Sequence, residues 1–230
     1  MKRTDSRILK DKRAALFDLD GTLVDSMWMW TDIDLEYLSR FSGAENCDIR
    51  ALQRDIEGLS MPETAELFKM RFRIPDSLEK MQEDWNQMAY ERYRTKVPLK
   101  TGARELLETM RSKGMKLAIC TSNSRRLAEA ALQANDILGL FDRILTADEV
   151  GKGKPSPDIY LEAARQIGID PARSIVFEDV ISGAIAGKRA GMTVCGVADA
   201  YSEDRRAELE EICDDFIEDF RKLLYETDWL

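Results

Sequence analysis

The sequence predicts an α/β protein: a mostly parallel sheet with helices on both faces, and a small all-helical unit inserted after the first strand. Three observations carry this. From Val97 onward, short apolar runs alternate with amphipathic stretches of about ten residues, the pattern of parallel strands joined by covering helices. One apolar run, Ala14-Ala15-Leu16-Phe17, stands apart near the beginning and leads into Asp18-Leu19-Asp20-Gly21-Thr22. Between them, from about Ser26 to Arg94, the periodicity is helical with little strand signal.

In the helical block, Trp30, Ile33, Tyr37, Leu38 and Phe41 recur at helical spacing, with Gly43 where a terminating glycine belongs. A second pattern runs through Ile49, Leu52 and Ile56 to Gly58. Pro62 opens a third, through Ala65, Leu67, Phe68 and Phe72, which stops before Pro75. Asp76 and Glu79 have the spacing of a capping box for a fourth helix containing Met81, Trp85, Met88 and Tyr90. Trp28 falls off the apolar stripe of the first helix, which makes it a candidate to line a cleft.

The alternating region then reads as a helix from Gly102 to Lys113, the run Lys116 to Cys120, a helix from Arg125 to Gln133 and the run Arg143 to Ala147. Ser156 and Pro157 have the composition of a cap and first helical residue for Asp158 to Ile167. Ser174 to Phe177, a helix from about Gly183 to Ala190, and Thr193 to Val197 follow. A charged helical stretch from Glu203 to Glu211, the apolar pair Phe216-Ile217 and an amphipathic end close the chain. These boundaries predict two domains: a core of residues 1–25 and 96–230, and a helical domain of residues 26–95.

Composition narrows the function. The 230 residues are 44% hydrophobic and 33% charged, enough to bury a core. A net charge of −9 and a pI near 4.8 disfavour nucleic acid and anionic membranes as partners. No apolar stretch approaches the ~20 residues of a membrane span. The basic beginning (Lys2, Arg3, Arg7, Lys10, Lys12, Arg13) lacks the apolar segment of a signal peptide and reads as a solvated lead-in. Cys47, Cys120, Cys195 and Cys213 have no metal-ligand spacing, and Cys120 and Cys195, within apolar runs, read as reduced core residues, so a cytoplasmic protein is expected. With no histidine anywhere, Ser-His-Asp and Cys-His catalysis are excluded, and acid–base work falls to carboxylates or lysine.

In an open parallel sheet, ligands bind outside the carboxyl ends of the strands. Those ends present Asp18 and Asp20, then Thr121-Ser122-Asn123, then Glu178-Asp179, with Lys154 in a Gly-Lys-Gly-Lys-Pro loop. In extended chain, Asp18 and Asp20 face the same way, so their mutual repulsion calls for a cation. Gly21 allows the chain to turn off the sheet directly behind them.

These motifs, in this order, resemble the haloacid dehalogenase-like superfamily over nearly the whole chain. Asp18-Leu19-Asp20-Gly21-Thr22 is similar to its first motif, Thr121 to the second, and Lys154 before a proline to the third. Glu178-Asp179 with Gly183 and Ala190-Gly191 is similar to the fourth. The helical insertion matches the subgroup with its cap domain at that point, which includes phosphoglycolate phosphatases and β-phosphoglucomutases. The resemblance implies a Rossmann-like core and a phosphatase acting on a small-molecule phosphate ester through an aspartyl-phosphate on Asp18. It further implies that Asp20 is the acid–base residue and that Thr121, with the Ser122 and Asn123 amides and Lys154, binds the phosphoryl group. Mg2+ would be held by the Asp18 carboxylate, the Asp20 carbonyl and Asp179, with Glu178 either a direct ligand or behind one. The turn from Thr22 to Ser26 would double as a hinge for the cap.

The leaving group is set by the cap, whose candidates are Gly58-Leu59-Ser60-Met61 and the basic residues Arg50, Arg54, Lys69, Arg71 and Arg73. A sugar-phosphate mutase is the alternative, disfavoured because such enzymes use a cap histidine. Phosphonoacetaldehyde hydrolase chemistry would need a cap lysine, and the internal ones are Lys69 and Lys80. Dehalogenation fits the acid pair poorly. A non-catalytic binding protein on the same fold is the remaining class. A monomer is expected.

Overall fold

A computed structural model describes residues 8–41, 48–56, 59 and 61–225; the side chain of Arg50 is not among what it describes. Gly43, Cys47, Gly58 and Ser60, singled out above, lie outside the described residues.

Six parallel strands form one sheet: β1 (Ala14–Phe17), β2 (Lys116–Thr121), β3 (Arg143–Thr146), β4 (Ser174–Glu178), β5 (Thr193–Val197) and β6 (Asp215–Ile217). Their order is β3-β2-β1-β4-β5-β6, so the chain builds outward on one side of β1 and returns to build on the other. The crossover between β1 and β4 is where such sheets place a ligand. The pair Phe216-Ile217, without assignment in the sequence, is the core of the short edge strand β6.

Strand side chains alternate between two faces. Phe17, Leu117, Ile119, Phe177 and Ile217 belong to one buried cluster, with residues of α5 (Ala103–Ser112), α6 (Arg125–Ala134) and α11 (Arg221–Leu224). Leu16, Ala118, Cys120, Val176 and Val194 belong to the other, with α8 (Asp158–Ile167), α9 (Ile181–Arg189) and α10 (Arg206–Ile212). On the first face Phe17 and Phe177 stack at 4.7 Å between ring centres, across the β1–β4 pair. Ala147, the last residue of the apolar run expected there, does not belong to β3 but opens a four-residue helix, α7 (Ala147–Val150).

Between β1 and α5 the described residues form four helices: α1 (Met27–Leu38), α2 (Ile49–Ile56), α3 (Met61–Phe72) and α4 (Leu78–Thr95). Entry and exit run side by side: Asp25 N–H donates to Pro98 O and Lys100 N–H to Leu23 O, both at 3.0 Å. Two caps differ from expectation. Ser77, not Asp76, caps α4 by accepting from Lys80 N–H at 3.2 Å, while Asp76 accepts from the Tyr37 hydroxyl. Pro157 occupies the cap position of α8 and Asp158 is its first helical residue. The buried stripe of α4 is Met81, Trp85, Ala89 and Tyr93, a strict four-residue spacing that leaves Met88 and Tyr90 half-buried. α4 also lies along α6 of the core. There the Arg126 guanidinium sits 4.4 Å from the Tyr90 ring centre and donates to Gln87. Cys120, Cys195 and Cys213 are buried.

Candidate active site

β1 ends at Phe17, one residue before the first acid, and Asp18 N–H still donates to Phe177 O of β4 at 3.0 Å. This ladder bond fixes Asp18 between the two central strands. Its carboxylate Oδ1 receives the Lys154 ammonium at 2.5 Å, and the same ammonium lies 2.6 Å from Glu178 Oε1. The Tyr160 hydroxyl, from α8, also donates to Glu178 Oε1. Lys152, the other lysine of that loop, is exposed and 3.8 Å from Asp158.

Asp18, Glu178 and Asp179 each bring a carboxylate oxygen within 4.8 Å of the others, and all three residues are buried. One ammonium faces three acids. Burial drives the Asp18 carboxyl up to about 8, although Lys154 pulls it the other way. Burial, then Asp18 and Glu178, push Asp179 well above the usual carboxylate range. Burial would lower Lys154, but the Asp18 and Glu178 carboxylates more than reverse this and hold it above its ordinary value. Glu178 Oε2 and Asp179 Oδ2 are buried without a hydrogen-bond partner. Asp179 Oδ1 accepts from the Thr22 hydroxyl at 2.6 Å. Gly21, at φ +78°, leaves Asp179 its room: a Cβ there would lie 2.2 Å from Oδ2. Uncompensated, clustered, unpartnered carboxylate oxygens are the donor set of a hard dication. The residues present therefore fit Mg2+.

Asp20 is held apart from this cluster. Its Oδ1 accepts from the Ser26 hydroxyl at 2.6 Å and from the Tyr93 hydroxyl, and its Oδ2 from the Asn123 amide at 3.0 Å. The carboxylates expected to face one another thus divide their partners, Asp18 with Lys154 and Asp20 with hydroxyls and an amide. Thr121 ends β2, and its Oγ1 accepts from Asn123 N–H at 3.0 Å. The Asn123 N–H thus bonds within the turn, and its side chain meets Asp20. Ser122 is exposed at the same turn.

Four contributors escaped the sequence reading. Thr22 ends the first motif and Ser26 lies just beyond it, five and nine residues past the end of β1, where a hydroxyl looks like a turn or cap residue. Tyr93 continues the spacing of Met81, Trp85 and Ala89, and following that register would have placed it on the buried stripe without showing what its hydroxyl meets. Tyr160 carries no signal that separates it from core packing.

A cavity of about 510 Å³ opens onto Asp179, walled by Gln53 and Arg54 of α2 and by Tyr201, Ser202 and Asp204 after β5. Of the cap residues expected at the leaving group, Arg54 lines it. Lys69 instead closes the α3–α4 turn on Ile74 O and Asp76 O, and Arg71 pairs with Asp55 at 2.5 Å. Lys80 pairs with Asp84 on the surface of α4, so both internal lysines of the insertion are engaged away from the three acids. Trp28 is 39% exposed and donates to Asp25 O rather than lining this cavity.

Fold and site define a class: an α/β enzyme whose polar groups are carboxylates, with one buried lysine, at the crossover of a parallel sheet. The chain belongs to the haloacid dehalogenase-like hydrolases, whose family model matches residues 15–197. It is 30% identical to validoxylamine A 7'-phosphate phosphatase of Streptomyces hygroscopicus subsp. limoneus, over 90% of this chain and 95% of that protein. It is 32% identical to the bifunctional riboflavin kinase/FMN phosphatase of Arabidopsis thaliana over 79% of its length, and spans 47% of that longer protein. Among solved structures, a haloacid dehalogenase hydrolase of family IA, variant 3, from Entamoeba histolytica superposes with a TM-score of 0.79 at 27% identity. That match covers 91% of this chain and 94% of the other. No helix among the described residues is long and apolar enough to cross a membrane.

Proposed function

We propose that this protein is a Mg2+-dependent phosphatase that hydrolyses a small phosphorylated metabolite through an aspartyl-phosphate intermediate. The observation that carries the reading is Asp18: a carboxylate at the sheet crossover, 2.5 Å from a buried ammonium and within 4.8 Å of two further acids. Phosphoryl transfer needs a nucleophile, neutralisation of the phosphoryl oxygens and a proton for the leaving group.

Asp18 is the nucleophile and Asp20 the acid–base residue, donating a proton to the departing oxygen and accepting one from the attacking water. Lys154 and the Thr121 hydroxyl bind phosphoryl oxygens, with the Ser122 N–H beside them. Asp18, Asp179 and the Asp20 carbonyl would hold Mg2+, with Glu178 either a ligand through its unpartnered Oε2 or behind the ligands through the Oε1 that Lys154 and Tyr160 share. The bound cation supplies positive charge to the phosphoryl oxygens. Residues 26–95 form the cap and residues 1–25 and 96–230 the catalytic core. The leaving group occupies the cavity walled by Arg54 and Tyr201, whose size suits a metabolite rather than a macromolecule. The phosphatase relatives support hydrolysis over mutase chemistry, as does the absence of the cap histidine.

The test is phosphate release from p-nitrophenyl phosphate and a panel of sugar, polyol and nucleotide monophosphates, with and without Mg2+. Release should require Mg2+ and vanish in Asp18→Asn. A wild-type protein silent on the whole panel overturns the reading, and conversion of β-glucose 1-phosphate to the 6-phosphate without phosphate release replaces it with the mutase.

A further inference from the structure

The last helix of the insertion reaches the acid–base residue. Tyr93 lies in the last turn of α4, is fully buried, and donates its hydroxyl to Asp20 Oδ1. Asn123, from the turn after β2, donates to Asp20 Oδ2 at 3.0 Å and to the Tyr93 hydroxyl oxygen at 2.9 Å. The three groups close a ring of hydrogen bonds, with one member on the insertion and two on the core. Ser26 adds a further donor to Oδ1.

We propose that Tyr93 and Asn123 are positioning residues that fix the plane of the Asp20 carboxylate, so that the insertion's last helix sets the direction in which Asp20 delivers its proton. The proposal rests on the phosphatase reading. Rotation about the Cβ–Cγ bond of an aspartate is soft, and donors on a single oxygen leave the other free to swing. Here Asn123 pins Oδ2 and Tyr93 pins Oδ1, and the bond between them fixes their separation. A buried tyrosine hydroxyl needs some partner, and a main-chain carbonyl would have satisfied it. This one is spent on the reacting group. Its anchoring is strong: Tyr93 packs edge-on to Trp30 at 6.4 Å, and α4 lies along α6 just after the Asn123 turn.

A positioning role separates from a structural one by leaving group. A p-nitrophenolate departs without a proton, whereas an alkoxide needs one. The experiment compares kcat/KM for p-nitrophenyl phosphate and for the alkyl phosphate the wild type hydrolyses best, in wild type, Tyr93→Phe, Asn123→Ala and the double variant. Tyr93→Phe keeps the ring, and circular dichroism melts confirm folding. If it does not fold, Asn123→Ala carries the comparison. The expected result is a fall of about 10-fold or more on the alkyl ester against less than about 3-fold on the nitrophenyl ester, with the double variant little worse than the poorer single one. Equal falls on both esters assign a structural role and overturn the proposal, as does no fall. A wild type silent on both esters sinks the phosphatase reading and this proposal with it, whereas an active wild type with an unchanged ester ratio in the variants sinks the proposal alone.

Discussion

Replacing Lys154 with methionine tests the electrostatics on which the site depends. The side chain keeps its length and loses its charge, in a place where the ammonium lies 2.5 Å from Asp18 and 2.6 Å from Glu178. Removing one partner of a buried ion pair costs about 3–5 kcal/mol, because the remaining charge is left uncompensated. Here two carboxylates lose the same cation, which argues for the upper part of that range. At roughly 2–4 °C per kcal/mol for a domain of this size, the melting temperature should fall by about 8–20 °C at pH 9, where the Asp18 carboxyl is ionised. The pH dependence has a definite sign. The Asp18 carboxyl stands at about 8 in the folded protein, above its ordinary 3.8, so its contribution to stability is complete below that ordinary value and lost as pH rises through 8. Losing the lysine raises it further. The deficit relative to wild type should therefore be larger at pH 9 than at pH 6, measured by circular dichroism melts in EDTA so that no cation substitutes for the ammonium. A variant melting within 2 °C of wild type at pH 9 would refute the reasoning.

Two further substitutions probe neighbouring parts of the molecule. Asp34, on α1, is buried with no described residue donating to it, and burial raises its carboxyl to about 7. Its contribution to stability is full below its ordinary 3.8 and lost as pH rises through 7; at 1.36 kcal/mol per pKa unit the ceiling is about 4 kcal/mol. Asp34→Asn should melt higher than wild type at pH 8.5 by an amount worth about 1–3 kcal/mol, after the cost of an unpaired buried amide, and equal melts at both pH 5.5 and 8.5 would count against it. At Gly183 an added Cβ would lie 2.0 Å from Glu178 Cδ, so Gly183→Ala should cost about 1–3 kcal/mol by overpacking, read as a lower melt. An unchanged melt would mean that Glu178 is not pinned by Lys154 and Tyr160.

Much of this molecule was legible because parallel strands are buried on both faces and so appear as unbroken apolar runs, as Ile175-Val176-Phe177 does. β6 was not, since three residues with one fully buried side chain, Ile217, carry no periodicity. The site divided along a similar line. Asp18, Glu178 and Asp179 announce themselves because charge at the end of an apolar strand is costly without a purpose, and Lys154 through the Lys-Pro pair of its loop. Tyr93 and Tyr160 do not, because an aromatic on the buried stripe of a helix looks the same in sequence whether its hydroxyl meets a carboxylate or a carbonyl. The error over Asp76 has the same origin: capping geometry depends on which of two adjacent residues is extended, and Ser77 at ψ 159° is.

The distribution of hydrogen bonds around the two leading acids argues for the division of labour proposed for them. A nucleophile must keep an oxygen accessible, and Asp18 has one protein partner, Lys154. An acid–base residue must be held in one orientation while its proton comes and goes. Asp20 has three donors, two of them hydroxyls that can turn from donor to acceptor without breaking the network. One of those hydroxyls, Ser26, belongs to the entry into the insertion, and the other, Tyr93, to its last helix. The insertion thus begins and ends on the same carboxylate. Any displacement of the helices relative to the sheet that moves these two residues would be felt at Asp20 before it is felt at Asp18, which is anchored to β4 through its own main chain. A cap joined to the core in this way can govern proton transfer without disturbing the nucleophile.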